Sequence, residues 1–195
     1  MMAYTQSEIC NMALSNLGLA NNVTSIDDPE KQTEKIFAQY YQLVLNKTLK
    51  RERPQFAIYD ETITPVQFAD DTWHFMVPSY ALEILRINGQ TQGWTVEHGE
   101  IIFVDSIAKI DNNSTVDIKY IRAVTDTGLF PEEFVELFAW ELAAYCCGRL
   151  TQDSGMLQLA ATGVQGARLE YQTINLRSAK PRLKTQSKFN KIWRR

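Results

Sequence analysis

The sequence predicts an α+β fold, mainly α: a four-helix bundle of two N-terminal and two C-terminal helices, with an antiparallel β insert between helices two and three and an extended basic C-terminal arm. Three observations predict it. Apolar residues recur at helical spacing over residues 6–51 and again over 130–178, and between these stretches they alternate at period two. Basic residues without a single acid then fill residues 171–195. The corresponding divisions are 1–54 and 129–177 for the helices, 55–128 for the insert and 178–195 for the arm.

Thr5-Gln6-Ser7-Glu8 has capping-box spacing, so a helix begins there. Ile9, Ala13 and Leu17 mark its buried side, and Gly18 supplies the left-handed residue that stops it near residue 17. For the second helix, Asp28 is placed as the cap and Pro29 at the first helical position. Ile36, Phe37, Tyr40, Tyr41, Val44 and Leu45 then repeat to about residue 51, where Lys50, Arg51 and Arg53 meet the negative end of the helix before Pro54.

From Phe56 the pattern changes. Ile58, Ile63, Val66 and Phe68, then Trp73, Phe75 and Val77, alternate with polar residues around Pro65 and Pro78. Strands over 83–88, 94–97, 99–104 and 115–124 follow, separated by Asn88-Gly89, His98-Gly99 and Asp111-Asn112-Asn113. One antiparallel sheet or a small open barrel is expected. Phe130-Pro131-Glu132-Glu133 then opens a third helix, with Phe134, Phe138, Leu142, Tyr145 and Leu150 on its buried side. Asp153-Ser154-Gly155 turns the chain into a fourth, outlined by Met156, Leu159, Ala160, Val164, Ala167 and Tyr171, so the two form an αα-hairpin.

The composition, 195 residues with 45% apolar and 22% charged, is that of a globular chain. No apolar run approaches the ~20 residues of a membrane-spanning helix. The N-terminus lacks a basic start, apolar stretch and cleavage site, so folding in a cytoplasm is expected. Cys10, Cys146 and Cys147 have no metal or redox spacing and are expected as reduced, buried small hydrophobes.

Chemistry has few carriers. Walker, dinucleotide and nucleophile-elbow motifs are missing, as are Cys/His clusters, so no catalytic residue, cofactor or metal is assigned. His74 sits in a strand beside Trp73, and His98 in a turn, where packed or solvated roles suffice. The acid pairs Asp27-Asp28, Asp60-Glu61, Asp70-Asp71 and Glu132-Glu133 are read as helix starts and turns. Gly163-Val164-Gln165-Gly166 matches the GxxG of a KH module in letters only and reads as close helix packing.

The tail is different. Arg177, Lys180, Arg182, Lys184, Lys188, Lys191, Arg194 and Arg195 give residues 171–195 a charge of +8, leaving 12 basic against 23 acidic residues, or −11, in the body. Phe189, Ile192 and Trp193 would share one face of a short helix. Such a segment is read as an arm that orders on an acidic partner, with its aromatic residues as anchors.

Several segments together resemble the head-to-tail adaptor (connector) proteins of tailed bacteriophages, a family that includes tail tubular protein A of short-tailed phages. Asn11-Met12-Ala13-Leu14-Ser15-Asn16-Leu17-Gly18 is similar to the family's opening N-x-A-L-x-x-L-G helix. Val77-Pro78-Ser79-Tyr80-Ala81-Leu82-Glu83-Ile84-Leu85-Arg86-Ile87 resembles its proline-started strand. Ile118-Lys119-Tyr120, followed by Phe130-Pro131-Glu132-Glu133-Phe134 and the Ala-rich helix to Thr151, resembles its return into the third helix.

The resemblance covers about residues 5–175 and implies a non-enzymatic virion protein at the head–tail junction, made in the bacterial host cytoplasm. It implies a ring of twelve copies under the portal protein that extends the DNA channel and receives the tail or nozzle protein. Double-stranded DNA would pass without sequence-specific binding, which an acidic body suits, and no membrane is involved. The resemblance puts Arg177 and the residues after it, with Phe189 and Trp193 as anchors, in portal docking, and makes Asn88, Gly89, His98 and Gly99 tail-side contacts. Two rivals remain: a DNA-binding packaging accessory acting through the basic arm, and a small enzyme using an acid pair with His98.

Overall fold

The computed structural model describes residues 4–68, 73–103, 113–151 and 153–178. Helix α1 (Gln6–Asn16) starts at the predicted box. Thr5 Oγ1 accepts from the Glu8 N–H at 3.2 Å, and the Glu8 carboxylate accepts from the Thr5 N–H at 2.7 Å, satisfying donors that a helix start leaves open. Gly18, at φ 66°, closes the other end: its N–H reaches the Ser15 carbonyl at 2.9 Å and the Leu19 N–H reaches that of Leu14 at 3.0 Å.

Helix α2 (Gln32–Glu52) begins later than the sequence signals suggested. Lys31, not Asp28, is the capping residue, and Pro29 lies outside the helix. The reason is Glu34, whose carboxylate takes the Glu30 and Lys31 N–H groups at 3.0 Å each on one oxygen and the Thr24 N–H and hydroxyl at 2.9 and 2.7 Å on the other. That one buried side chain ties the preceding loop to the helix start and fixes where it begins. Arg53, in left-handed geometry at φ 48°, ends α2 before Pro54.

Helices α3 (Glu132–Leu150) and α4 (Ser154–Ser178) follow the insert, with Pro131 as the capping residue of α3. The predicted four-helix bundle is not what they form with α1 and α2. In a bundle each helix shows one apolar stripe to a shared axis. α3 instead buries Phe134, Val135, Leu137, Phe138, Ala139, Leu142, Ala143, Cys146 and Cys147, which together circle the helix. It is therefore a central helix: the principal helix–helix contacts are those of α1, α2 and α4 with α3. Tyr145, expected on the buried side, is 44% exposed, as Leu159 of α4 is at 50%.

The insert is two antiparallel sheets rather than one sheet or a barrel. The first contains β1 (Ile58–Ile63), β7 (Val116–Arg122) and β4 (Ala81–Ile87), in the order β1-β7-β4. The second contains β2 (Val66–Gln67), β3 (Trp73–Met76), β6 (Glu100–Phe103) and β5 (Trp94–Glu97), in the order β2-β3-β6-β5. β1 and β7 pair from Ile58↔Ile121 to Ile63↔Val116, so the strands that enter and leave the insert lie side by side.

Alternation along β7 divides the core. Ile121 packs with the helices, whereas Val116, Ile118 and Tyr120 join Phe75, Ile87 and Ile101 in a second cluster. The first sheet thus lies between the helical layer and the cluster it shares with the second sheet.

The residues of the opening motif each have a structural role. Ala13, Leu14 and Leu17 are buried, Gly18 closes the helix, and the Asn11 side-chain amide pairs with the Val23 backbone, giving to its carbonyl at 2.9 Å and taking from its N–H at 3.0 Å. Phe130 and Phe134, which bracket the return into α3, both pack on Phe56, tilted at a centroid distance of 5.5 Å and edge to face at 5.0 Å respectively.

Candidate functional site

Among the described residues of the insert, two tight turns carry the sequence-predicted contacts. Asn88 and Gly89, at φ 50° and 78°, reverse the chain after β4, and Ile87 and Gln90 exchange hydrogen bonds across them at 2.9 and 2.8 Å. His98 and Gly99, at φ 51° and 83°, do the same between β5 and β6. Both central residues at positive φ match the twist that hairpins favour. Asn88 is also held from the side: its N–H donates to the Asp117 carbonyl at 2.7 Å and its side-chain oxygen accepts from the Asp117 N–H at 3.0 Å. All four turn residues are exposed, and the two tips belong to different sheets.

Of the predicted arm, Arg177 lies in the last turn of α4. Lys180, Arg182, Lys184, Lys188, Phe189, Lys191, Ile192, Trp193, Arg194 and Arg195 lie outside the described residues, as does the Asp70-Asp71 pair.

Of the other acid pairs, Asp27-Asp28 lies in the loop ahead of α2 rather than at a helix start. Asp60 and Glu61 were read as a turn but lie in β1, where neighbours point to opposite faces. Asp60 pairs with Lys119 at 3.1 Å. Glu61 accepts from the Tyr80 and Tyr120 hydroxyls, at 2.9 and 2.7 Å on the same oxygen. Burial and the Glu61 hydrogen bond raise the Tyr120 phenol above its ordinary value. Arg122 covers the rings of Tyr59 and Tyr80 at 5.2 and 5.1 Å. Glu132 and Glu133 occupy the first turn of α3, as the helix-start reading required.

His74, rather than His98, meets a carboxylate: its Nδ1 contacts Glu100 across β3 and β6, with Phe68 edge-on at 4.7 Å. Sequence reasoning missed this pair because it depends on the β3–β6 register, Met76↔Glu100, which sets His74 diagonal to Glu100. The three thiols are buried and unpaired with one another. Burial raises Cys10 and pushes Cys146 up to about 12, the opposite of an activated nucleophile. Among the described residues no group of three or more His, Cys, Asp or Glu side chains is arranged to hold a metal, and no helix is long and apolar enough to cross a membrane.

Charged side chains also tie α2, α3 and α4 together. Arg51 and Arg168 both reach Glu141, Arg168 at 2.7 Å, and both reach Glu52, at 2.8 and 3.1 Å. The Arg168–Glu52 approach is ionic, since that Nε–H is not aimed for a hydrogen bond. Gln172 adds a bond to Glu52 at 3.2 Å.

Beside this network lies a groove of about 360 Å³ between the segment after α2, the start of α3 and the end of α4. Phe56, Pro131, Tyr171 and Ile174 give it apolar walls, with Glu133 and Asn175 at its margin. Burial, with Glu52 and Glu133 nearby, pushes the Tyr171 phenol up to about 12. A mixed-charge groove of about 340 Å³ lies on the first sheet, where Arg86 and Lys119 face Asp60 and Asp117. A scan of protein-family models and a search of curated proteins found no match to this chain.

Proposed function

We propose that the protein is a structural virion component: a head-to-tail adaptor whose copies form a ring under a portal, extend the DNA channel and present the attachment surface for a tail or nozzle protein. The observation that carries this reading is the agreement between the motif residues and their work in the fold. Asn11, Ala13, Leu14, Leu17 and Gly18 build the α1 turn and its link to Val23, while Phe130 and Phe134 lock the return from the insert against Phe56. The element order, two helices, an insert closed by β1 and β7, then two helices leading to a basic tail, supports the same reading.

Exposed apolar side chains on the helices suit subunit contacts. Leu157, Leu159 and Leu169 of α4 are at least half exposed, and Leu43 and Tyr145 are more than 40% exposed. The exposed Asn88-Gly89 and His98-Gly99 turns are the proposed tail-side contacts, and the segment from Arg177 onward is the proposed portal arm.

Sedimentation of the purified protein alone and with its cognate portal ring tests the reading. Co-sedimentation of a ring's worth of protein, lost when residues 178–195 are deleted, is the expected result. Equal association of the truncated chain would remove the arm from docking. Absence of association, together with duplex binding that falls steeply with salt, would favour the DNA-binding accessory instead.

A further inference from the structure

The groove at the end of α4 has an unusual position relative to the charge distribution of the chain. Tyr171, Ile174 and Asn175 line it, and α4 ends at Ser178, less than one helical turn beyond Asn175. The 17 residues that follow, 179–195, carry Lys and Arg but no acid, and include Phe189, Ile192 and Trp193. Fully extended, those residues would span roughly 55 Å, several times the distance back to the groove lip.

Carboxylates surround the groove, and the arginines beside it, Arg51 and Arg168, are already paired with Glu52 and Glu141. Glu133 is at its margin, exposed Glu132 and Glu136 lie on the first two turns of α3, and exposed Glu170 adjoins Tyr171. Its walls are aromatic and fixed, because Phe56 and Tyr171 both pack on Phe134, at 5.0 and 5.9 Å. An apolar slot of this volume accepts one or two large side chains without rearrangement.

We propose that this groove is the resting place of the chain's own C-terminal segment, with Phe189 and Trp193 as the two side chains in the slot and the flanking Lys188, Lys191, Arg194 and Arg195 against the α3 and α4 carboxylates. Tethering makes the contact intramolecular, so even a weak pairing is well populated. The inference deepens the adaptor reading: the arm that docks on a portal is stored on the protein's own body before assembly, and the portal competes for it.

Amide hydrogen exchange of the full-length protein tests the storage without any portal, so its outcome is independent of the co-sedimentation result. The double variant Phe189→Ser, Trp193→Ser changes only residues outside the described fold. It should exchange about tenfold faster over residues 55–57, 132–136 and 171–176 and unchanged elsewhere, taking an effective concentration on the order of 1 mM and an affinity of ~0.1 mM. Glu133→Arg, with the arm intact, should accelerate exchange at the same segments. Wild-type protection in the double variant would overturn the proposal. So would protection in the unaltered protein that disappears on hundredfold dilution, since the occupant would then be another copy's arm.

Discussion

Gly163 of α4 faces the indole of Trp140 on α3 so closely that a Cβ at residue 163 would lie 2.3 Å from the ring's Cε3 and Cζ3 atoms. The contact sets how near the two helices approach. Gly166, one turn further on, has nothing within 4 Å of the same hypothetical atom.

The two glycines should therefore respond oppositely to alanine. Gly163→Ala must displace the indole and should destabilise by about 1–3 kcal/mol despite its better helix propensity. Gly166→Ala should stabilise by roughly 0.5–1 kcal/mol, since only propensity changes. Thermal unfolding of both variants reads the difference, and equal shifts would contradict the contact.

Tyr41 and Phe138 meet edge to face at 5.1 Å where α2 crosses α3. Phe138 is fully buried, so Phe138→Ala should cost about 3–5 kcal/mol. The Tyr41 hydroxyl is buried without a hydrogen-bond partner. Tyr41→Phe should then raise stability by about 1 kcal/mol, or about 2–4 °C in Tm for a chain of this size. A loss from Tyr41→Phe would mean that the hydroxyl has a partner after all.

Glu34 links stability to acid. Its hydrogen bonds from Lys31 and Thr24 hold the carboxyl well below its ordinary value. A group depressed on folding contributes fully above its unfolded value, near 4.3, and loses that contribution as pH falls toward the folded value. Stability should therefore fall below about pH 4.5. In Glu34→Gln the Tm at neutral pH should be lower and its fall below that pH shallower. Parallel acid limbs for the two proteins would exclude Glu34 as a source of the dependence.

The hairpin tips offer separate tests of strain and contact. Asn88→Ala removes the side-chain bond from the Asp117 N–H, leaving the backbone one, and places alanine at φ 50°, for a loss of about 1–2 kcal/mol. His98→Gly relieves a non-glycine residue at φ 51° and should be neutral or stabilising by up to about 1 kcal/mol. Denaturant unfolding measures both. If folded His98→Gly protein also fails to bind the proposed tail-side partner, the imidazole belongs to that proposed interface.

Local signals were the legible ones. The Thr5–Glu8 box, the Gly18 stop and the Asn88-Gly89 and His98-Gly99 turns depend on neighbours within a few residues and occur as read, and the period-two strands occur with shifted bounds, β1 running through the Asp60-Glu61 pair that was read as a turn. The start of α2 was misplaced because Glu34 draws part of its hydrogen bonding from Thr24, ten residues away. The bundle was misread for a similar reason: a stripe through Phe134, Phe138 and Leu142 was visible, but Val135, Ala139, Ala143 and Cys147 complete a ring of buried positions around α3. The split into two sheets depends on β7 pairing with both β1 and β4, which alternation alone does not specify. At the candidate site the turns were readable, whereas the groove was not, because Phe56, Pro131 and Tyr171 come from three distant segments.

The pairing of β1 with β7 also bears on how fast the helices find one another. Residues 53–131 separate α2 from α3, and closing so long a loop before any reward is entropically slow. Once Ile58 lies beside Ile121, that loop is short-circuited to a handful of residues on either side. Sheet-first folding therefore predicts that Ile118→Ala, in the sheet's own cluster and away from the α2–α3 contact, slows refolding in stopped-flow measurements, whereas an unchanged refolding rate with faster unfolding would put helix docking first.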